Sequence, residues 1–204
     1  MGQIYEMNLW GSNKTPFYSG EGSHKLSLIE PYLEVVISFL NSFEKPINVC
    51  DLGCGDFNIG KKLVQYTEKY FAIDIVEELI LFNREKFQHK NLEFHCLDIA
   101  TDKLPIADCV IIRQVLQHLS NKEIESIAHK LSQYKYILIT EHLPVQDFEP
   151  NKDIISGQGI RIRKQSGVVI TAPPFNFKAK KEELLLSLPL KDNKGVIETR
   201  LYTI

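Results

Sequence analysis

Residues 47–57 read Ile-Asn-Val-Cys-Asp-Leu-Gly-Cys-Gly-Asp-Phe, and they are the most informative part of the chain. Its apolar first half predicts a buried strand, and Gly53 and Gly55 permit a tight reversal and a close approach of the backbone to a ligand. A helix is predicted to begin near Asn58. A strand, a glycine turn and a helix in this order predict a site for a nucleotide-like ligand.

The residues around these glycines argue against a dinucleotide. A dinucleotide fingerprint places a third glycine three residues after the second, where this chain has Asn58. Asp51 and Asp56 would also repel a pyrophosphate, whereas they suit a cationic ligand. S-adenosylmethionine meets these conditions, because it carries adenine, ribose, an ammonium and a sulfonium but no phosphate. The turn therefore favours S-adenosylmethionine over a nicotinamide cofactor.

Further strands follow in a regular order. A second apolar strand ends at Asp74, which lies 21 residues after Gly53, and an acid at about this distance is placed to bind ribose hydroxyls. A third strand is predicted over 92–98 and ends in Asp98. A fourth, over 108–112, runs into Arg-Gln-Val-Leu-Gln-His-Leu at 113–119. Because an acid at a strand end is often only a turn former or a helix cap, the ordered spacing is what favours a cofactor site.

From about residue 24 onward the chain resembles the class I S-adenosylmethionine-dependent methyltransferases. The resemblance is carried by the Asp-x-Gly-x-Gly turn, the two later acid-ended strands and the 113–119 segment. Within that family it is similar to a bacterial type that has Gln-His-Leu after strand four and a late Pro-Pro-Phe-Asn segment, and that implies no particular substrate. The resemblance implies an α/β fold, a Rossmann-like three-layer sandwich around a seven-stranded, mostly parallel sheet with a C-terminal antiparallel hairpin.

The resemblance also implies S-adenosyl-L-methionine as the cofactor and S-adenosyl-L-homocysteine as the product. Asp74 would accept from the ribose hydroxyls and Asp98 from the adenine amine. Asp56 and Asp102 are expected to be ordinary loop residues. The expected cofactor-binding residues are Asp51, Gly53, Cys54, Gly55, Asp74, Ile75, Asp98, Ile99 and Arg113.

Methyl transfer from a sulfonium is an in-line displacement, so alignment of the reactants matters most and a general base is optional. Because ligands of such sheets bind at the carboxyl ends of the strands, the candidate catalytic residues are His118, Glu141 and His142. His118 has a suitable ordinary pKa, but the alternative is that it packs the turn after strand four. Glu141 and His142 could abstract a proton or bind an amine, and the alternative is that both are solvated loop residues.

Two segments fall outside the alternating pattern. Residues 1–23 form an N-terminal arm with aromatic anchors, which is expected either to fold over the cofactor as a lid or to pack against the outside. Residues 144–182 form an irregular insertion near the acceptor site. Within it, 172–175 reads Ala-Pro-Pro-Phe, which lacks the Asn or Asp of the base-methylating motif and stands too late in the chain. Packing on the sheet is favoured over a place in the acceptor pocket for residues 173–177.

Composition limits the remaining possibilities. With 204 residues, of which 44% are hydrophobic, the chain is long enough to bury a core and is expected to form a single domain, residues 1–204. A net charge of −2 and the lack of a basic face disfavour a nucleic-acid substrate, so a small-molecule acceptor is expected. The absence of a signal segment or a long apolar run predicts no membrane partner and a cytoplasmic location. The four cysteines show no disulfide framework or zinc spacing, so no metal is expected.

Three other functions remain open at this stage. A non-catalytic adenosyl-binding or partner-binding module would share the cofactor motifs. An NAD(P)-dependent oxidoreductase is disfavoured by the glycine pattern, and a nucleic-acid methyltransferase by the charge. The sequence leaves open the acceptor, the methylated atom, the use of a base and the oligomeric state.

Overall fold

The computed structural model describes residues 2–7, 9–11, 16–191 and 194–204. Short 3-10 turns occupy Glu21–Ser23, Val64–Tyr66, Leu116–His118 and Arg161–Lys164. The helices are α1 (Gly2–Glu6), α2 (Leu26–Leu40), α3 (Gly60–Leu63), α4 (Glu77–Lys86) and α5 (Asn121–Leu131). The strands are β1 (Asn48–Leu52), β2 (Lys69–Asp74), β3 (Leu92–Cys96), β4 (Cys109–Arg113), β5 (Tyr136–Leu143), β6 (Lys181–Pro189) and β7 (Val196–Thr203).

The seven strands form one sheet in the order β3-β2-β1-β4-β5-β7-β6. β1, β2 and β3 pair in parallel, whereas β7 runs antiparallel to both β5 and β6. The predicted α/β fold, with a mostly parallel seven-stranded sheet and a C-terminal antiparallel hairpin, is therefore confirmed. The contacts divide the chain into two compact units that meet between Val110 and Ile111. The expectation of a single domain stays a prediction.

In the first unit, apolar residues make β1 and β2 almost wholly buried strands. Phe57, two residues after Gly55, is completely buried and has a positive φ of 60°. Its ring makes edge contacts with Tyr70, Phe87 and Phe94, at centroid distances of 4.8 to 5.8 Å. A side chain at Gly60 would collide with this ring, so the glycine at this position lets the Phe57 ring pack closely against the main chain. The helix predicted near Asn58 begins at Gly60 and is only one turn long.

In the second unit, α5 begins as its sequence predicts. Ser120 and Glu123 form a reciprocal capping box, which satisfies two main-chain donors at the start of the helix. Strand β5 differs from its prediction, because it continues through Leu143 and so includes Glu141 and His142. The extension arises because β7 pairs with β5 along its whole length, up to Leu143 opposite Val196. The predicted hairpin turn at 192–195 lies partly outside the described residues, which include 194 and 195 but not 192 and 193.

Candidate functional site

The glycine turn, residues 53–57, is shaped by main-chain hydrogen bonds. The amides of Gly53 and Cys54 both donate to the carbonyl of Ile73 at 2.8 Å, which ties the turn to the end of β2. Gly53 and Gly55 have φ values of 84° and 54°, in the left-handed region that favours glycine. Asn83 of α4 donates to the Gly55 carbonyl at 2.8 Å and is fully buried. The turn is therefore preorganised, because hydrogen bonds to the end of β2 and to Asn83 of α4 fix its backbone.

Asp74 lies against this turn. One carboxylate oxygen accepts from the Gly55 amide at 3.1 Å, and the other accepts from the Val76 amide at 3.1 Å. Burial raises the pKa of Asp74, while these two amide bonds oppose the rise. Asp74, the predicted ribose-binding residue, is thus in contact with the predicted glycine turn.

Asp51 and Asp98 flank this arrangement in the same unit. Asp51 is 7% exposed and accepts from the Tyr70 hydroxyl at 2.8 Å. Asp98 follows the end of β3 by two residues, and the amide of its neighbour Leu97 donates to the Asp74 carbonyl at 3.0 Å. One Asp98 oxygen accepts from the Ala100 amide at 2.8 Å. The acids predicted from strand spacing therefore do lie at neighbouring strand ends.

The remaining predicted cofactor residues of this unit are apolar or small. Ile75 is 48% exposed although it directly follows buried Asp74, whereas Ile99 is half-buried. Exposed Ile75, beside buried Asp74, offers an apolar surface on which a ligand's aromatic ring could pack. Asp102, expected to be an ordinary loop residue, accepts from the Asp98 amide at 2.8 Å and so supports the Asp98 turn.

The N-terminal arm rests on the glycine turn. Tyr5 is buried in a cluster with Val76 and Leu79, and its hydroxyl lies 3.2 Å from the Ser19 hydroxyl. The Ser19 hydroxyl accepts from the Asp56 amide at 2.8 Å. Burial, and to a smaller extent the nearby Asp74 carboxylate, raises the pKa of Tyr5 well above its ordinary value. Tyr5 and Ser19 are functional candidates that the sequence interpretation did not single out, because aromatic spacing in the arm has no regular period.

In the second unit, the β4 turn, residues 114–119, follows the fourth strand. Arg113 ends that strand half-buried, and its guanidinium donates to the Gln114 side-chain oxygen at 3.3 Å. Gln114 has a positive φ of 56°, and its amide donates to the Thr140 carbonyl at 2.7 Å. Among the described residues, the side-chain oxygen of buried Gln117 has no hydrogen-bond partner. A left-handed backbone at a residue other than glycine, as at Gln114, often marks a functional position.

His118 is 9% exposed and is held on both sides. Its Nδ1 lies 3.2 Å from the Gly159 carbonyl, so this nitrogen carries the proton and donates, which leaves Nε2 to accept from the Gln117 side-chain amide at 3.3 Å. The His118 carbonyl also accepts from the Gly157 amide at 3.0 Å. Burial lowers the pKa of His118, so the neutral imidazole is favoured. These contacts connect the β4 turn to the insertion.

Glu141 and His142 face different partners. The two carboxylate oxygens of Glu141 accept from the main-chain amides of Leu116 and Gln117, at 3.0 and 3.1 Å. The Nε2 atom of His142 lies 2.6 Å from the Lys194 carbonyl, beside the β6–β7 turn. Burial lowers the pKa of His142. Neither residue is a solvated loop residue, since both belong to β5, and their proposed part in catalysis stays a prediction.

Two buried polar residues organise the insertion, and neither carries a sequence motif. Arg161 is fully buried and donates to the carbonyls of Leu116, Leu119 and Lys152. Asn151 is 4% exposed with a positive φ of 61°, and its side chain bridges the main chain of Val169 and Pro173. Pro173 and Pro174 themselves are exposed, so residues 173–177 are only partly packed.

Among the described residues, no group of three or more histidines, cysteines, aspartates or glutamates is arranged to hold a metal ion. Within the same residues, none of the helices has both the length and the apolar character that crossing a membrane requires.

Comparison with known proteins adds independent information. Residues 49–134 match the sequence profile of a family described as a methyltransferase domain. The chain is similar to phosphoethanolamine N-methyltransferase 1 of Arabidopsis thaliana, with 30% identity over 101 residues. That match covers 47% of this chain and 20% of the relative, and a second Arabidopsis relative, phosphoethanolamine N-methyltransferase 3, gives similar values. The chain thus spans about a fifth of the length of the curated relatives it matches.

Solved structures share the fold at low sequence identity. The N-methyltransferase NodS of Bradyrhizobium japonicum WM9, in complex with S-adenosyl-L-homocysteine, aligns with a TM-score of 0.66 at 12% identity, covering 99% of this chain and 97% of NodS. Magnesium protoporphyrin IX methyltransferase of Synechocystis PCC 6803, also with S-adenosyl-L-homocysteine, aligns with a TM-score of 0.61 at 15% identity. This second match covers 100% of this chain and 94% of the other. At these identities the likeness establishes the fold.

Proposed function

We propose that this chain, a class I methyltransferase whose cofactor is S-adenosylmethionine, transfers the methyl group to a small-molecule acceptor. The bond between Asp74 and the Gly55 amide is the observation that carries the cofactor assignment best. It joins the acid at the ribose position to the glycine turn, as the in-order motifs of the sequence require. The proposed cofactor residues of the first unit are Asp51, Gly53, Cys54, Gly55, Asp74, Ile75, Asp98 and Ile99. Arg113 is a further candidate.

Nitrogen is the acceptor atom that we would test first. A neutral amine attacks through its own lone pair and needs alignment more than a strong base. The two carboxylate oxygens of Glu141 already accept from main-chain amides, and His118 is held between Gly159 and Gln117. The Arabidopsis relative and NodS are both named N-methyltransferases. His118, Glu141 and His142 nevertheless stay candidates for catalysis, to be tested one by one.

The net charge of −2 supports a small molecule over a nucleic acid as the acceptor. The names of the relatives agree, since phosphoethanolamine and magnesium protoporphyrin IX are both small molecules. We also propose a cytoplasmic location, in line with the expectation from the sequence pattern.

Calorimetry tests the cofactor assignment. Purified chain freed of copurified ligand is titrated with S-adenosylmethionine, S-adenosylhomocysteine and NADH, and the titrations are repeated with Asp74→Ala. We expect saturable binding of the adenosyl pair that weakens at least about tenfold in Asp74→Ala, because a charged hydrogen-bond acceptor is lost. Glu85→Ala, which removes an exposed carboxylate of α4, serves as the matched control.

A turnover assay then tests catalysis. S-adenosylhomocysteine formation is measured with panels of small amines, alcohols and thiols, and we expect activity within the amine panel. Binding of the adenosyl pair with no turnover on any panel would favour a non-catalytic adenosyl-binding module. Binding of NADH alone would contradict the cofactor assignment.

A further inference from the structure

We propose that Asp56 is a positioning residue that latches the N-terminal arm over the glycine turn, so that Tyr5 and Ser19 help to retain the bound cofactor. This inference rests on the proposed binding of S-adenosylmethionine. It assigns a function to an acid that the sequence interpretation left as an ordinary loop residue.

The latch consists of hydrogen bonds that converge on one buried carboxylate. Asp56 is 8% exposed, and one of its oxygens accepts from the Ser19 amide at 3.0 Å and lies 2.5 Å from His24 Nε2. The other oxygen accepts from the Asn58 amide at 3.2 Å. The Asp56 amide in turn donates to the Ser19 hydroxyl at 2.8 Å. Asp56 and Ser19 therefore bind each other reciprocally, because the main-chain amide of each donates to a side-chain oxygen of the other.

The latch brings arm atoms directly onto the predicted cofactor turn. A side chain at Gly55 would collide with the Ser19 side chain, and it would lie within 3.7 Å of the Tyr5 hydroxyl. The Tyr5 and Ser19 hydroxyls also bond to each other. Gly55 is thus the position where three features meet: the left-handed turn, the bond to Asp74 and the arm.

The arm has a second, apolar attachment on α4. The Tyr5 ring makes edge contacts with Trp10 and Phe17, and Phe17 contacts Phe82 of α4 at a centroid distance of 5.5 Å. Tyr18 stacks on His24 at 4.6 Å, which supports the imidazole that faces Asp56. The aromatic contacts therefore hold the arm before Ser19, and the latch holds it at Ser19 itself. A ligand on the glycine turn would leave only after the polar attachment opens.

This arrangement predicts an effect on cofactor release. Breaking the latch lowers the barrier to opening, so the dissociation rate of the bound ligand is expected to rise. We expect Asp56→Ala to raise the dissociation rate of S-adenosylhomocysteine about tenfold or more, as measured by stopped-flow displacement. Asp56→Asn keeps an oxygen for the Ser19 amide and is expected to fall between Asp56→Ala and the unaltered chain.

A double-mutant cycle separates a latch from general loosening of the turn. Ser19→Ala is expected to raise the dissociation rate as well, and the combination of Ser19→Ala with Asp56→Ala should add little to the larger single effect, because both act through one set of bonds. Glu21→Gln, which alters an exposed arm carboxylate, should leave the rate unchanged. Thermal melting of each variant checks that it folds. If Asp56→Ala does not fold, the dissociation rates of Asp56→Asn and Ser19→Ala provide the test instead.

The outcomes distinguish this proposal from the one on which it rests. If the unaltered chain binds no S-adenosylhomocysteine, the proposed function and the latch both fail. If it binds, and the Asp56 variants release the ligand at the same rate as the unaltered chain, the latch alone is overturned. Effects of Ser19→Ala and Asp56→Ala that multiply fully would also overturn it.

Discussion

Leu116 is held from both sides by buried ionisable side chains. Its amide donates to Glu141, and its carbonyl accepts from Arg161. Glu141 and Arg161 do not form a direct ion pair among the contacts of the described residues, and each side chain is instead satisfied by the main chain. A buried ionisable group is tolerated when hydrogen bonds compensate it, so Leu116 joins β5, the β4 turn and the insertion.

Replacing Arg161 tests this at the level of one side chain. Arg161→Met keeps the length of the side chain but leaves the carbonyls of Leu116 and Leu119 without their donor and Glu141 without a nearby positive charge. We expect a loss of about 3 kcal/mol in the free energy of unfolding, measured by urea denaturation. Arg163→Met, an exposed position in the same 3-10 turn, should change stability by less than about 0.5 kcal/mol. Equal effects of the two substitutions would contradict the role given to Arg161.

At the scale of elements, the insertion after β5 has little regular structure, yet it is not loosely held. Asn151 supplies hydrogen bonds to main-chain groups that a helix or a sheet would otherwise provide. Its side chain both donates to and accepts from the main chain of later residues. The Val169 amide donates to Asn151 Oδ1 at 2.9 Å. Ser166 adds a further link, accepting from the Lys152 amide and donating to the Glu149 carbonyl.

Asn151→Gly isolates the contribution of this side chain, because glycine accepts the positive φ without strain. We expect the Val169 amide to exchange with deuterium about tenfold faster or more, while the amides of β5 and β7 keep their protection. Asn176→Gly is the matched control, since Asn176 also has a positive φ but is exposed, and its side chain donates to the nearby Pro174 carbonyl. Faster exchange throughout β5 would show instead that the substitution unfolds the whole second unit.

At the scale of the whole molecule, buried Glu141 links folding to pH. Burial raises its pKa to about 8, although the amide bonds from Leu116 and Gln117 favour the ionised form. Between the ordinary value of 4.5 and about 8, the folded chain keeps a proton that the unfolded chain has released. The stability from this group is therefore complete below pH 4.5 and is lost as the pH rises through 8.

Glu141→Gln removes that titration. We expect the free energy of unfolding of this variant to fall less between pH 4.5 and 8 than that of the unaltered chain, as followed by urea denaturation across the range. Glu125→Gln, on the exposed side of α5, should reproduce the unaltered slope. Parallel curves for Glu141→Gln and the unaltered chain would mean that Glu141 ionises normally in the folded state.

Most of the fold could be predicted because burial leaves a local pattern. Apolar runs that end in Asp74 and Asp98 predicted strands and their order, and the glycines at 53 and 55 predicted the turn between β1 and its helix. The partners of Glu141 could not be predicted, because they are main-chain amides of a turn 24 and 25 residues earlier. Asp56 was missed for a related reason, since Ser19 and His24 reach it from a segment without periodicity.

The position of β7 sets the order in which the sheet can be completed. β7 lies between β5 and β6, although it follows both in the chain. A ribosome releases chains from the N-terminus onward, so β5 and β6 emerge before the strand that joins them. Until Val196–Thr203 is synthesised, β5 keeps an open edge that nascent chains and chaperones can contact. Translation that stalls before Val196 would therefore leave an aggregation-prone chain rather than a smaller folded one.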